Sequence, residues 1–257
     1  MLTRSLPLQE RMALYDRAIH LREEKNWGYK RVAKELDISR STIEKWLSRG
    51  AKPRTYHYVP NLKPSPELSY MVGVLLGDGW VFKSGVRYML GLEVADKAFS
   101  EGFERALMKL GFHVGKQFIR SKNIREKDMF VVYASSLFFY DWWQNFKSSL
   151  VYNLRQLGYN NEFMLAFIRG FYESEGSVSY PNKGLHREIR IFNTCLEVSK
   201  IVKDFLQELG YHPYFYAQKY REKGIYYTVG LSRKEETERF FDEVRPCIKT
   251  GVRVDPV

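Results

Sequence analysis

The sequence predicts an α+β protein in which a small helical domain precedes two similar units of helix and strand. Two apolar stretches carry this prediction: residues 71–79 are MVGVLLGDG and residues 168–176 are IRGFYESEG. Each has a glycine at its third position, a small residue at its seventh, and then an acid and a glycine. The acids, Asp78 and Glu175, are 97 positions apart, about the length of one small αβ unit. This spacing indicates a tandem duplication.

The composition favours a partner with many negative charges. The 257 residues include 41 Lys/Arg and 30 Asp/Glu, a formal net charge of +11, and such an excess favours a polyanion. The two cysteines, Cys195 and Cys247, are not spaced as a metal motif, which indicates a reduced compartment. No apolar run is long enough to cross a bilayer. We therefore expect a cytoplasmic protein that does not contact membranes and associates with the nucleoid when bound to DNA.

Residues 1–50 predict a small all-helical domain. Residues 1–66 carry 14 Lys/Arg and 7 Asp/Glu, so a net +7 lies in about a quarter of the chain. Apolar periodicity predicts helices over 8–25, 29–36 and 40–48, with Ser39 as the N-cap of the third. This pattern resembles a helix-turn-helix domain, whose third helix enters a major groove. A helical bundle that binds protein is the alternative. The candidate DNA-binding residues of the third helix are Arg40, Ser41, Thr42, Lys45 and Arg49.

Residues 51–66 predict a basic linker. Prolines, which favour an extended chain, occupy positions 53, 60, 64 and 66. Lys52 and Arg54 are candidates for contacts with a phosphate backbone. A solvated tether without DNA contacts is the alternative.

The first repeat, residues 67–158, is predicted to form helix, hairpin, helix, two strands and helix in that order. The expected elements are a motif helix opened by Pro66 or Glu67, strands over 80–83 and 87–94, a helix from Asp96 to Gly111, strands over 116–120 and 129–133, and a helix over 137–146 capped by Ser135. The second repeat, residues 159–257, has the same order, with strands over 177–179 and 188–193, a helix over 196–209, strands over 214–218 and 225–231, and a helix over 234–244. Gly210 follows Gly111 by 99 positions, so only short insertions separate the copies.

The small residues of each motif lie four positions apart, as Gly73 and Gly77 do, and therefore share one helix face. Such a face lets two helix backbones approach closely. The two stretches resemble the motifs of the LAGLIDADG homing endonucleases in their single-chain, two-repeat form. The resemblance implies two αββαββα halves related by a pseudo-two-fold axis, whose motif helices pack together and whose antiparallel sheets form a saddle over DNA.

The resemblance also implies the site. The eighth-position acids, Asp78 and Glu175, would bind the catalytic metal, Mg²⁺ or Mn²⁺. A basic residue after the last helix of each half would lie near a scissile phosphate, and Lys147 and Lys249 are the candidates. The alternative for these lysines is an ordinary place at a helix end, where the dipole favours a cation. At the sixth motif position the chain has Leu76 in the first copy and Glu173 in the second.

These features together predict a monomeric, site-specific endonuclease that hydrolyses both strands of a long DNA target with divalent metal ions. Two alternatives use the same fold: a catalytically silent DNA-binding transcription regulator, and an RNA intron maturase. The outward residues of the strands are the candidates for contacts with bases or phosphates: Lys83, Arg87, Lys116, Arg120, Arg190, Lys219 and Arg221.

Overall fold

The computed structural model describes residues 8–53, 59–85, 87–121, 127–180, 187–219 and 224–250. The chain divides into two compact units, Met1–Tyr58 and Val59–Val257, and each unit has its own hydrophobic core. The first unit is helical and the second combines helices with antiparallel sheets. This confirms the predicted fold class. No helix of the described ranges is long and apolar enough to cross a membrane.

The first unit consists of α1 (Leu8–Glu23), α2 (Tyr29–Glu35) and α3 (Arg40–Arg49). The side chain of Ser39 accepts a hydrogen bond from the backbone N–H of Thr42 at 3.3 Å, which confirms the predicted N-cap of α3. Ile43 and Trp46 are buried between the helices. Because this side of α3 faces inward, its opposite side is left to solvent, where Arg40, Ser41, Lys45 and Arg49 are exposed.

The second unit repeats one order of elements twice. The first copy comprises α4 (Pro66–Leu76), β1 (Gly79–Ser84), β2 (Arg87–Val94), α5 (Lys97–Lys109), β3 (Val114–Ile119), β4 (Met129–Ser135) and α6 (Leu137–Ser148), and α7 (Leu150–Leu157) follows it. The second copy comprises α8 (Asn161–Glu175), β5 (Gly176–Ser179), β6 (Glu188–Asn193), α9 (Leu196–Glu208), β7 (Tyr214–Lys219), β8 (Ile225–Leu231) and α10 (Lys234–Val244). All strand pairs are antiparallel, and the sheets have the equivalent orders β1-β2-β4-β3 and β5-β6-β8-β7.

The end of the first copy differs from the sequence prediction. Ser136, and not Ser135, caps α6, because its side chain accepts a hydrogen bond from the backbone N–H of Phe139 at 3.1 Å. Ser135 is the last residue of β4. Helix α7 has no counterpart among the predicted elements. It follows α6 without a glycine or proline between them, and it buries Leu154 and Leu157 in the core.

Part of the predicted linker packs on the second unit. The backbone N–H of Asn61 donates to the carbonyl oxygen of Leu110 at 2.8 Å, and Leu62 contacts the core. Ser65 caps α4 by accepting a hydrogen bond from the backbone N–H of Leu68 at 3.1 Å. Residues 59–65 therefore support α4. Lys52 is exposed, and Arg54 lies outside the described residues.

Helices α4 and α8 pack at backbone contact distance. A Cβ atom on Gly73 would lie 2.4 Å from the carbonyl oxygen of Phe167, and one on Gly170 would lie 2.2 Å from the carbonyl oxygen of Tyr70. Both distances are far below van der Waals contact, so only glycine permits this approach. A Cβ atom on Gly77 would likewise lie 2.4 Å from the Cβ atom of Ser174. The close packing brings the C-terminal ends of the two helices together.

Replacing Gly170 by alanine is expected to destabilise the second unit by about 1–3 kcal/mol, because the new methyl group overlaps the Tyr70 carbonyl and forces the helices apart. Denaturant unfolding would measure this loss. Gly28→Ala is the control, since nothing lies within 4 Å of the new methyl group there, and it is expected to cost clearly less. Equal losses in the two variants would contradict the close α4–α8 approach.

Candidate active site

The carboxylates of Asp78 and Glu175 lie at the C-terminal ends of α4 and α8, directly before the first strand of each sheet. Asp78 lies between Gly77, the C-cap of α4, and the first residue of β1. Glu175 is the last residue of α8, and β5 begins at Gly176. The C-terminal end of a helix carries partial negative charge, which disfavours a carboxylate, and neither helix has a basic residue in its last turn. This unfavourable arrangement marks a candidate functional site.

Burial raises the pKa of both acids, and repulsion by Asp78 adds to the effect at Glu175. Burial raises the pKa of Asp78, and the positive charge of Lys249 opposes the effect. For Glu175, burial is again the largest cause of the raised pKa, and the negative charge of Asp78 adds to it. The charge of Lys249 and a hydrogen bond from Asn193 Nδ2 to Glu175 Oε1, 3.2 Å long, partly offset these effects. A Cβ atom on Gly77 would lie 3.1 Å from Cγ of Glu175, so Glu175 lies against the residue that precedes Asp78.

Lys249 is a cation beside both acids. Its Nζ donates to the carbonyl oxygen of Ser174 at 2.6 Å, and the hydroxyl of Tyr172 donates to the carbonyl oxygen of Lys249 at 2.7 Å. Burial lowers the pKa of Lys249, while the charges of Asp78 and Glu175 oppose that shift. The segment that follows α10 is therefore tied to the last turn of α8, and it carries a partly buried ammonium group to the acids.

A buried acid that the sequence analysis left without a role holds the same segment. Glu173 is 0% exposed. Its carboxylate accepts hydrogen bonds from the hydroxyl of Tyr70 at 2.6 Å, from Nε of Arg169 at 3.2 Å and from the backbone N–H of Cys247 at 2.7 Å. These partners satisfy the buried charge and join α4, α8 and the C-terminal segment. The signal in the sequence is an acid at the sixth position of an otherwise apolar motif.

Lys147 occupies a different environment from Lys249. It is exposed near the end of α6, and its Nζ lies 5.9 Å from the centroid of the Trp143 ring. In the part of the chain that the structure describes, the cation that acts on the pKa values of Asp78 and Glu175 is Lys249 and not Lys147. The two copies therefore contribute unequally to the site. A role for Lys147 at a phosphate stays a prediction.

Asp78 and Glu175 provide oxygen ligands of the kind that a hard divalent cation prefers. Mg²⁺ is commonly held by one or two carboxylates, with water and substrate phosphates as its other ligands. A cation between the two acids would also relieve their repulsion. Within the described ranges, no group of three or more His, Cys, Asp or Glu residues is placed to hold a metal. The two acids thus fit a metal whose remaining ligands come from water and a bound phosphate.

Replacing Glu175 by glutamine is expected to stabilise the metal-free protein at pH 7, by less than about 2 kcal/mol. Because the folded-state pKa of Glu175 is raised, its carboxylate lowers stability at pH values above that pKa, and this cost disappears as the pH falls toward 4.5, the ordinary pKa of a glutamate. Unfolding in EDTA at pH 7 and pH 4 would measure both effects. Glu162→Gln is the control, since Glu162 lies at the favourable N-terminal end of α8. Stabilisation by the control alone would contradict the prediction.

Each sheet has one face covered by helices and one open face. Residues directly opposite each other in an antiparallel pair point to the same face. Lys116 is opposite the buried Val132, and its Nζ lies 3.0 Å from Glu104 of α5. Lys116 is therefore on the helix side. Lys83 is opposite Tyr88, whose ring lies 5.1 Å from that of Tyr140 on α6, so Lys83 is also on the helix side.

The remaining strand candidates are distributed between the two faces. Arg87 lies on the open face of the first sheet, and Arg190 lies on that of the second, where it pairs with Glu188. Phe215 is opposite the buried Val229, and Lys219, four positions further along β7, points to the same helix side. The expected outward orientation thus fails for Lys83, Lys116 and Lys219, because alternation along each strand turns them toward the helices. Arg120 is exposed just beyond β3, and Arg221 lies outside the described residues. Among the candidates on α3, Thr42 is half-buried, and its hydroxyl is hydrogen-bonded to that of Ser39 at 2.8 Å.

A segment of each unit matches a known family model. Residues 162–245 match the LAGLIDADG-like domain, and residues 8–50 match the homeodomain-like domain. The chain is 37% identical over 161 residues to the Methanocaldococcus jannaschii protein named "Uncharacterized protein MJ0314". That match covers 62% of this chain and 60% of the relative, so it spans less than two thirds of the relative's length.

Two solved structures share the fold. The homing endonuclease I-DmoI in complex with DNA and Mn is 17% identical, covers 71% of this chain and 97% of its own chain, and has a TM-score of 0.50. The N-terminal LAGLIDADG domain of DUF199/WhiA is 14% identical, covers 72% of this chain and 84% of its own chain, and also has a TM-score of 0.50. At these identities the similarity shows the LAGLIDADG fold alone.

Proposed function

We propose that this protein is a site-specific DNA endonuclease that hydrolyses both strands of its target with Mg²⁺ or Mn²⁺. The observation that carries the proposal is the cluster of Asp78, Glu175 and Lys249 at the ends of the two glycine-packed helices. Two buried acids at helix C-termini, where the charge of Asp78 also raises the pKa of Glu175, weaken the fold unless a cation joins them. The match to the LAGLIDADG-like domain and the shared fold with I-DmoI, solved with DNA and Mn, support the same function.

The position of the acids defines where the substrate would lie. Strand β1 begins directly after Asp78, and β5 begins directly after Glu175. A duplex whose phosphates reach both acids therefore passes over both sheets. A two-stranded antiparallel ribbon fits the major groove of B-DNA. One acid from each half also matches the two scissile phosphates of a duplex, which are related by a pseudo-two-fold axis.

The chemistry follows from the residues present. A divalent ion held by Asp78 and Glu175 would polarise the phosphate and lower the pKa of a bound water. Asn193 orients the Glu175 carboxylate through its hydrogen bond. Lys249, held by the Ser174 carbonyl, supplies positive charge where negative charge accumulates during phosphodiester hydrolysis.

The first unit would add DNA contacts of its own. The match to the homeodomain-like domain and the exposed outer face of α3, with Arg40, Ser41, Lys45 and Arg49, fit a recognition helix in the major groove. We propose that the monomer combines this contact with those of the sheets, so that its target is long. Residues outside α3 that would contribute include Lys52 and Arg54, for which the proposal rests on charge.

A DNA-binding regulator without nuclease activity is the second candidate. The hydrogen-bonded ammonium of Lys249 already supplies positive charge beside the two acids, which lowers their need for a metal. The helix-turn-helix unit suits this function equally well. An RNA maturase is the third candidate on this fold, although a helix-turn-helix domain, which suits DNA binding, is less useful to an RNA-binding protein.

Incubating the full-length protein with a plasmid library of random duplex inserts would separate these candidates. We expect linear plasmids with Mg²⁺ or Mn²⁺ and intact plasmids in EDTA, with one cleaved site enriched. Specific binding of a duplex without cleavage in any divalent metal would support the regulator instead. Preferential binding of structured RNA over every duplex would support the maturase.

A further inference from the structure

The pairing register relates the two sheets residue by residue. Gly79 is opposite Leu92 in the first sheet, and Gly176 is opposite Ile191 in the second. Each of these glycines directly follows a motif acid, so the two pairs are equivalent. The paired positions that both sheets share can then be matched one by one, which permits a direct comparison of the two open faces.

At six equivalent positions the open face of the first sheet carries an apolar side chain and that of the second a polar one. Trp80 and Phe82 correspond to Ser177 and Ser179. The same replacement recurs along the central and edge strands. There Met89, Val131, Met129 and Ile119 correspond to Glu188, Thr228, Tyr226 and Gln218. Two pairs differ in the opposite direction, since Glu93 corresponds to Phe192 and Gln117 to Tyr216. The charged residues that the described strands of the first sheet place on this face are Arg87 and Glu93.

Aromatic rings lie flat on the first open face. A Cβ atom on Gly91 would lie 2.3 Å from the Trp80 ring, and one on Gly115 would lie 2.5 Å from the Tyr133 ring. The glycines therefore make room for rings that lie against the backbone. The Trp80 ring contacts that of Phe82 at 5.0 Å between centroids, and the Phe82 side chain is 46% exposed. The result is a broad, shallow apolar surface.

Hydrogen-bonding groups occupy the second open face. The carboxylate of Glu188 accepts hydrogen bonds from Ser179 at 3.1 Å and from the hydroxyl of Tyr214 at 2.8 Å, and it also pairs with Arg190. The Tyr214 ring lies over Gly230, so the ring and glycine have exchanged the strands that they occupy in the first sheet. These hydrogen bonds join Glu188, Ser179, Tyr214 and Arg190 into one connected polar cluster.

We propose that the first open face recognises its half of the DNA target through thymine methyl groups, whereas the second recognises the hydrogen-bonding edges of bases. This inference rests on the proposed function, in which one DNA duplex is bound with its centre at the two acids and its two halves over the two open faces. The thymine C5-methyl is the apolar group that a base pair presents in the major groove. An apolar surface with few hydrogen-bonding groups gains affinity by covering that methyl and would leave the polar edge of a G·C pair unpaired. The two half-sites therefore differ in composition.

Deoxyuridine substitution tests this directly, because it removes only the C5-methyl and keeps the base pairing. A duplex selected for specific binding would be prepared with uracil in place of thymine in one half at a time, and affinity rather than cleavage would be measured. We expect a loss of about fourfold for each contacted methyl in one half and no change in the other. Equal effects in both halves, or none, would overturn the inference and leave the proposed function standing. Failure to select any specific duplex would overturn both.

A pair of matched variants assigns the effect to the open face. Phe82→Ser introduces the residue that the second sheet has at the equivalent position, and we expect it to abolish the difference between thymine and uracil at the positions it contacts. Phe118→Ser is the control: Phe118 is 51% exposed and its ring lies 5.1 Å from that of Phe130, but it is on the helix side. We expect the control to keep the difference.

Equal loss of the thymine–uracil difference in both variants would overturn the inference. Concentration-dependent dimerisation of the free protein that Phe82→Ser abolishes would identify a second copy of this chain as the occupant of the face. That result would also overturn the inference.

Discussion

Replacing Asp78 by asparagine is expected to abolish double-strand cleavage and to leave DNA affinity close to that of the unchanged protein. Asparagine has nearly the same shape but no charge, so the site loses one of the two oxygen donors that fit a divalent cation. Changes to the outer partners of a metal site alone cost about 10- to 100-fold, so loss of a direct ligand should reduce the rate by about 100-fold or more. The affinity persists because the DNA contacts come from the sheets and the first unit.

Cleavage of the selected duplex with Mg²⁺, together with binding measured in parallel, would check this expectation. Glu175→Gln should behave in the same way, because each half supplies one acid. Asp141→Asn is the matched control, since it makes the same chemical change at an exposed site on α6, and it should cleave normally. Full cleavage by either active-site variant would remove that acid from the mechanism. Loss of binding would instead point to damage to the fold.

Deleting residues 1–58 is expected to weaken DNA binding and to flatten its dependence on salt, while the metal-dependent chemistry persists. These residues carry 13 Lys/Arg and 7 Asp/Glu, a net of +6. Each phosphate neutralised contributes about 0.9 to the slope of log K against log salt. If Arg40, Lys45 and Arg49 each contact one phosphate, the slope should fall by nearly 3. The cut lies before Val59 because Asn61 and the cap of α4 belong to the second unit.

Footprints and salt titrations of the full and shortened proteins would test this prediction. A triple Arg40→Ala, Lys45→Ala, Arg49→Ala variant of the full chain should show most of the same change in slope. Lys34→Ala, which removes an exposed cation from α2, is the matched control and should change little. Identical footprints and slopes for the full and shortened proteins would show that the first unit does not read DNA. A regulatory or protein-binding function would then account for it.

The helices were predictable because their signals are local. Ser39, the predicted N-cap of α3, accepts a hydrogen bond from the backbone N–H of Thr42. Asp96, where the next helix was expected to begin, accepts the equivalent bond from Phe99. Capping of this kind needs only neighbouring residues. Helical spacing is a local signal too: Phe99, Phe103 and Leu107 recur every four residues along α5, and all three are buried. Helix α7 was not predicted because it is short and directly follows another helix, with no glycine or proline between them to mark the boundary.

The sequence by itself determined the duplicated order of elements, the contact between α4 and α8, and the two acids at its end. These follow from a glycine pattern and a repeat that can be counted along the chain. Only the tertiary structure decided which charged groups meet the acids. Lys249 arrives on a segment held by Tyr172, Ser174 and Glu173, and no local rule sets the path of such a segment. The faces of Lys83 and Lys116 were likewise undecided, because alternation defines two sides of a strand and only packing determines which one the helices cover.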